Sequence, residues 1–184
     1  MSKLSRIQKE DIEKKAHETL EQIGLSDSNE PIDAVTIARK LGFKVGNAVM
    51  DDDDDGFIII NDSTDDILGI KTDKLIGVNS ARPLEWKRFI IAHEIAHYVL
   101  HYPEVKDKRL YAHRDHVKGK NEDENDADFF AACLLMPREL FTKRYNELRE
   151  KSLELKDIVV LLADRFCVTQ LMAERRIGEL KLNE

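Results

Sequence analysis

The stretch RFIIAHEIAHYVLH, residues 88–101, decides how this chain folds, because it sets His93 and His97 four positions apart in a run that reads as a helix. Side chains at i and i+4 stack on one helix face, so the two rings can converge on a single metal ion. Glu94 then stands beside the ion and not on it. A carboxylate in that place can take a proton from an activated water, the division of labour a metal-dependent hydrolase needs. The alternative, two histidines sharing a helix by accident, conflicts with their neighbours. Phe89, Ile90, Ile91, Ile95, Val99 and Leu100 make the run apolar nearly all round, which predicts a buried helix. Burying two imidazoles and a carboxylate without partners is expensive.

Composition sets the frame around that helix. A chain of 184 residues can bury a sizeable core in one domain, here with a helical tail. Hydrophobic content of 42% against 35% charged fits a soluble globular protein, and no apolar run approaches the roughly 18 residues of a membrane span. The opening MSKLSRIQKEDIEKKAHETL is charged throughout and lacks the apolar centre of a secretory signal, so a cytoplasmic location without a membrane partner is expected. Cys133 and Cys167 are expected to be buried small hydrophobes and not a disulfide. A net charge of −7 speaks against direct nucleic-acid binding driven by phosphate neutralisation.

Along the chain, Ile12, Ala16, Leu20 and Ile23 recur at helical spacing and predict a helix over 8–24 that Gly24 closes. Pro31 opens a second helix expected over 31–42. Residues 43–79 then predict a small sheet, with a strand from Phe43 to Met50 and short β-rich runs at Phe57–Asn61, Ile67–Ile70 and Leu75–Asn79. Turns are expected at Asn61–Ser63 and Lys71–Asp73, and the acidic run Asp51–Asp55 reads as a hairpin turn. The same run matches the first positions of a calcium loop, but the match fails at Asp62 and between flanking strands. The metal-site helices fall in 83–137, with Pro83 in the first turn, Trp86 packed on the sheet and Pro103 ending the first helix. A polar stretch to Asn121 reads as a long loop bordering a cleft. Helices follow over Arg138–Glu150, Leu155–Phe166 and Thr169–Leu180.

A catalytic zinc site needs a third protein ligand and an open position for water. His101 continues the four-residue spacing, yet residues eight apart on a straight helix are about 12 Å apart along its axis. That is too far for one ion held at about 2 Å from each nitrogen, so His101 reads as a helix-end residue. In the next helix, EDENDADFFAACLLMP, Glu124 could complete a His-His-Glu site, with Asp128 accepting the free N–H of a ligating histidine. Glu122 and Asp126 share the same spacing, so spacing alone leaves that frame open.

The pairing of His93-Glu94-Ile95-Ala96-His97 with the downstream element from Glu124 through Ala127, Phe130, Ala131 and Leu134 to Met136-Pro137 resembles the ImmA/IrrE family of metallopeptidases. The resemblance runs from Pro31 to Pro137, and it selects Glu124. It implies an α+β, zincin-like metallopeptidase: a small, mostly antiparallel sheet packed on a buried active-site helix, followed by a helical C-terminal segment. It also implies a zinc cofactor and, as in several members, cleavage of a helix-turn-helix transcriptional repressor in a mobile element or stress response.

On this basis residues 1–150 are expected to form the peptidase and 151–184 a helix-turn-helix-like tail, with Val168-Thr169-Gln170 at the turn. Five basic residues between Leu155 and Glu184 (Lys156, Arg165, Arg175, Arg176, Lys181) face five acidic ones (Asp157, Asp164, Glu174, Glu179, Glu184). A balanced segment attracts phosphate weakly, which favours packing or partner docking over DNA binding. The expected enzyme is a gluzincin-type zinc endopeptidase in which His93, His97 and Glu124 hold the metal and Glu94 is the base. Asp128 supports a ligand, and Tyr111, His113 and His116 are candidate transition-state stabilisers. The competing expectation is a non-catalytic module that binds a repressor, or DNA, through its C-terminal helices.

Overall fold

The computed structural model describes residues 4–67, 69–104, 110–116 and 122–183, with side chains outside 62–67, 104 and 110–116. Helix α1 (Arg6–Gln22) starts at Ser5, whose hydroxyl accepts the Gln8 N–H at 3.2 Å while the Gln8 side chain accepts the Ser5 N–H at 2.8 Å. This reciprocal cap satisfies two N–H groups that the first turn leaves open. Helix α2 (Ala34–Lys40) starts three residues after Pro31, because the Asp33 carboxylate accepts the Thr36 N–H at 3.0 Å and fixes the first turn there.

Four strands, β1 (Lys44–Ala48), β2 (Asp54–Ile67), β3 (Ile70–Asn79) and β4 (Leu110–His116), form one sheet in the order β1-β3-β2-β4. β1 runs parallel to β3, whereas β2 is antiparallel to both β3 and β4. The fold is therefore α+β with a small, mostly antiparallel sheet, as expected, but its details differ from the sequence pattern. The two inner turns do not form. Asp65 pairs with Thr72 and Asp66 with Lys71, so cross-strand pairing overrides local turn preference. A register shift between Ile60 and Asp65 is what remains of the first. The chain reverses instead at Gly69, whose φ of 80° lies in the left-handed region that glycine enters without strain.

The acidic run is not a hairpin turn either, because β3 lies between β1 and β2. Its carbonyls are held from the far end of β3, where the Asn79 amide donates to Asp51 at 3.2 Å and to Asp54 at 2.8 Å. Part of the expected loop up to Asn121 is strand β4, and residues 105–109 and 117–121 of that loop lie outside the described residues. An edge strand needs only one partner, so a mostly polar segment can serve.

Helix α3 (Leu84–Ala96) packs against β2 and β3, against α2 and against α4 (Glu122–Leu135), and α4 packs on α1. Ile58 and Ile76 of the sheet, Ile95 of α3 and Phe130 of α4 join one buried cluster with Phe141 and Phe166, whose rings lie 5.1 Å apart. These last two belong to α5 (Arg138–Arg149) and α6 (Leu155–Phe166). The chain then turns through Cys167 at φ 49° into α7 (Gln170–Glu179), where the Thr169 side chain accepts the Met172 N–H at 3.2 Å. Among the described residues no helix is long and apolar enough to cross a membrane.

Two buried arginines tie distant parts of the chain together. Arg88 of α3 donates to the Asp33 carboxylate at 2.9 Å, to the Ile32 carbonyl at 3.0 Å and to the Cys167 carbonyl at 3.2 Å. Arg176 of α7, 1% exposed, donates to the Met136 carbonyl at 3.1 Å and to the Glu13 carboxylate at 2.6 Å. Beside it, burial pushes the Cys133 thiol up to about 12. Burial also acts to raise the Glu13 carboxyl, but the hydrogen bond from Arg138 and the Arg176 charge outweigh it and hold the group below the usual range.

A carboxyl lowered by folding stabilises the protein above its unfolded value, about 4.3 for glutamate, and loses that contribution as pH falls through the folded value. Urea unfolding of Glu13→Gln should therefore show its largest deficit against the native chain above about pH 4.5. The deficit should shrink at lower pH. A difference independent of pH would mean that the Glu13 charge does not stabilise the fold.

Candidate metal centre

The metal-site helix is built to be buried. Pro83 occupies the N-cap position of α3, Glu85 sits in the first turn where the helix dipole favours it, and the run from Ile90 through Ala96 is buried. Trp86 stacks on Phe89 with ring centres 5.6 Å apart, and both pack against the core cluster. After Ala96 the helix does not stop. It widens into one π turn, His97–His101, and then tightens into a 3₁₀ turn, Tyr102–Glu104, which takes in Pro103.

Three side chains that the sequence singles out meet at one point. The Nε2 atoms of His93 and His97 lie 3.0 Å apart, and the Glu124 carboxylate reaches across from α4 to within 3.2 Å of the first and 3.5 Å of the second. Around a tetrahedral ion with bonds of about 2.05 Å, neighbouring ligand atoms are about 3.3 Å apart. The observed spacings bracket that value. Two imidazole lone pairs this close repel unless a proton or a cation lies between them, and the adjacent carboxylate favours positive charge. The donor set of two nitrogens and one oxygen fits a metal ion, and these three form the metal-competent group among the described residues.

Asp128 stands one turn beyond Glu124, and its Oδ1 lies 3.1 Å from His93 Nδ1. That contact leaves the His93 Nε2 lone pair free to point at the shared site. The Glu94 side chain is fully buried, and its Oε1 lies against β2, 3.5 Å from where a Cβ on Gly56 would stand. Glu122 and Asp126, the other frame that spacing allows, remain outside the three-residue group. Burial holds the Asp126 carboxyl above the usual range although His101 draws it down. Tyr111, His113 and His116 fall in β4, and their side chains lie outside the described residues.

Two features went unassigned on sequence grounds. His101 comes within 2.9 Å of the second histidine, His97, through their Nδ1 atoms; its repeated four-residue spacing was the available signal. Gly56 lets the helix approach the sheet, and an isolated glycine inside a strand pattern is the cue for such an approach.

The model of one protein family, Peptidase_M78, described as the IrrE N-terminal-like domain, matches residues 38–178, which is most of the chain. Comparison with curated proteins returns no match.

A Cβ at Gly56 would stand 2.4 Å from Ile90 Cγ2 and 3.0 Å from the Gly77 carbonyl oxygen, one helical turn before Glu94. Gly56→Ala should therefore cost about 1–3 kcal/mol through overpacking. Shortening Ile90 to alanine makes room, so the double variant should lose less than the two single variants combined. Thermal unfolding of the three proteins measures this, and strict additivity would show that the helix is not seated through that contact.

Proposed function

This chain belongs to the IrrE N-terminal-like family of peptidases, and from that premise we propose that it is a zinc-dependent endopeptidase of the gluzincin type. The observation that carries the proposal is the convergence of His93, His97 and Glu124 within metal-binding distance beside a buried Glu94. Those three residues would hold the ion. A zinc ion there would supply a Lewis acid, lowering the pKa of a water molecule and polarising the scissile carbonyl.

Glu94 accepts the proton of the attacking water and passes it to the leaving amine nitrogen, so one carboxylate serves as base and then as acid. Asp128 fixes the His93 ring. The substrate chain lies extended beside β4, whose inner edge pairs with β2 and whose outer edge pairs with no other strand among the described residues. Tyr111, His113 and His116 of that strand are the candidates to steady the developing oxyanion.

The substrate we assign is a helix-turn-helix transcriptional repressor in the cytoplasm, cleaved as a regulatory switch of a mobile element or a stress response. The resemblance of both motifs to the ImmA/IrrE family supports this assignment. In the proposed division, residues 1–150 carry the peptidase and 151–184 the tail. Arg176, turned inward on α7, supports a packing or docking role for that tail and not direct DNA binding.

The test uses the repressor encoded beside this gene, incubated with the zinc-loaded protein and followed by intact-mass analysis. Cleavage should stop on chelation and return with zinc. Glu94→Gln should lower the rate by about 10²–10⁴ while zinc stays bound, the range expected for loss of a general base. Undiminished cleavage by that variant would sink the assignment.

A further inference from the structure

The two histidines of the site are supported in different ways. His93 Nδ1 faces a carboxylate, Asp128, at 3.1 Å, whereas His97 Nδ1 faces the Nδ1 of another imidazole, His101, at 2.9 Å. With the His97 Nε2 lone pair turned to the shared site, its Nδ1 carries the ring hydrogen, and His101 Nδ1 lies within hydrogen-bond distance of it. His101 Nδ1 accepts it. An imidazole that accepts at Nδ1 carries its own hydrogen at Nε2, and His101 Nε2 points toward the Asp123 carboxylate, 3.9 Å away in the first turn of α4. At that distance the attraction is electrostatic and not a hydrogen bond.

The backbone is adapted to this contact. His97–His101 is a single π turn that continues α3 and leads into the 3₁₀ turn Tyr102–Glu104, and such turns gather at functional sites. The side chain of His101 is 21% exposed and its ring centre lies 5.0 Å from that of His97, at an interplanar angle of 50°. It therefore meets its neighbour edge to edge and not as a stacked pair, the geometry of a hydrogen bond through ring nitrogens.

We propose that His101 is a positioning residue for the metal centre: it accepts the His97 Nδ1–H and fixes that ring, with Asp123 favouring the tautomer that lets it do so. The inference rests on the assignment of His93, His97 and Glu124 as ligands. Outer partners of ligating histidines set ring orientation and basicity, and their loss weakens metal binding by about 10- to 100-fold.

Zinc affinity, measured by competition with a chromogenic chelator, reads the effect without any substrate. His101→Leu keeps bulk and removes the acceptor, and should bind zinc about 10- to 100-fold more weakly. In His101→Asn the side-chain oxygen falls near the place of Nδ1 and should restore most of the affinity. Asp123→Asn, at an exposed position that leaves folding intact, should weaken zinc binding by a few-fold. Unfolding of the metal-free proteins serves as control, and equal stability of native chain and His101→Leu assigns the loss to the site. Native zinc affinity in His101→Leu, or an Asn variant as weak as the Leu variant, overturns the inference and leaves the ligand assignment standing. Failure of the native chain to take up zinc overturns both.

Discussion

Two imidazoles and two carboxylates are withdrawn almost wholly from water on facing parts of two helices, and that burial governs the rest of this structure. His93, His97 and Glu94 are each at most 3% exposed, and the Glu124 side chain is 14% exposed. Charged and polar groups withdrawn from water to this degree must be paired or must hold a metal. Each element around them meets a part of that requirement. α3 delivers His93 and Glu94, the π turn that continues it delivers His97 one helical turn on, α4 crosses them to deliver Glu124 and Asp128, and β2 closes the far side through a residue without a side chain.

The arrangement explains why two helices separated by a sheet strand in the chain must meet in space. α3 and its π turn alone offer two nitrogens in line, which cannot enclose an ion. The acidic first turn of α4, Glu122 to Glu124, suits the positive end of that helix whatever its partners, so the carboxylates serve the helix and the site together. The apolar remainder of α4, from Phe129 to Leu135, then anchors the crossing in the core.

The helices were legible in the sequence because their signals are local. Among the described residues, seven helical segments carry apolar spacing, caps or prolines that set their ends within a few residues, and the His-Glu-His spacing places three candidate site residues within about one turn. The sheet was harder to read. Asn61–Ser63 and Lys71–Asp73 are turn formers held in a ladder by long-range pairing, and β4 is a polar strand that exists because β2 offers an edge. Pairings between distant residues leave no imprint on local composition. His101 illustrates the same gap at the site. A straight helix carries it away from a shared ion, and nothing local distinguishes a spent helix end from a π turn that keeps the ring against its neighbour.

Cys133 lies in the same helix as Glu124, buried among Arg176, Glu13 and the core, with its thiol pushed up to about 12. A soft divalent cation entering the cell's pool is drawn first to thiolates, because deprotonated sulfur is the strongest ligand for it that proteins carry. At neutral pH this sulfur keeps its proton. With its proton on and turned to Arg176 and Glu13, the sulfur stays outside the group formed by His93, His97 and Glu124, whose donors are two nitrogens and one carboxylate.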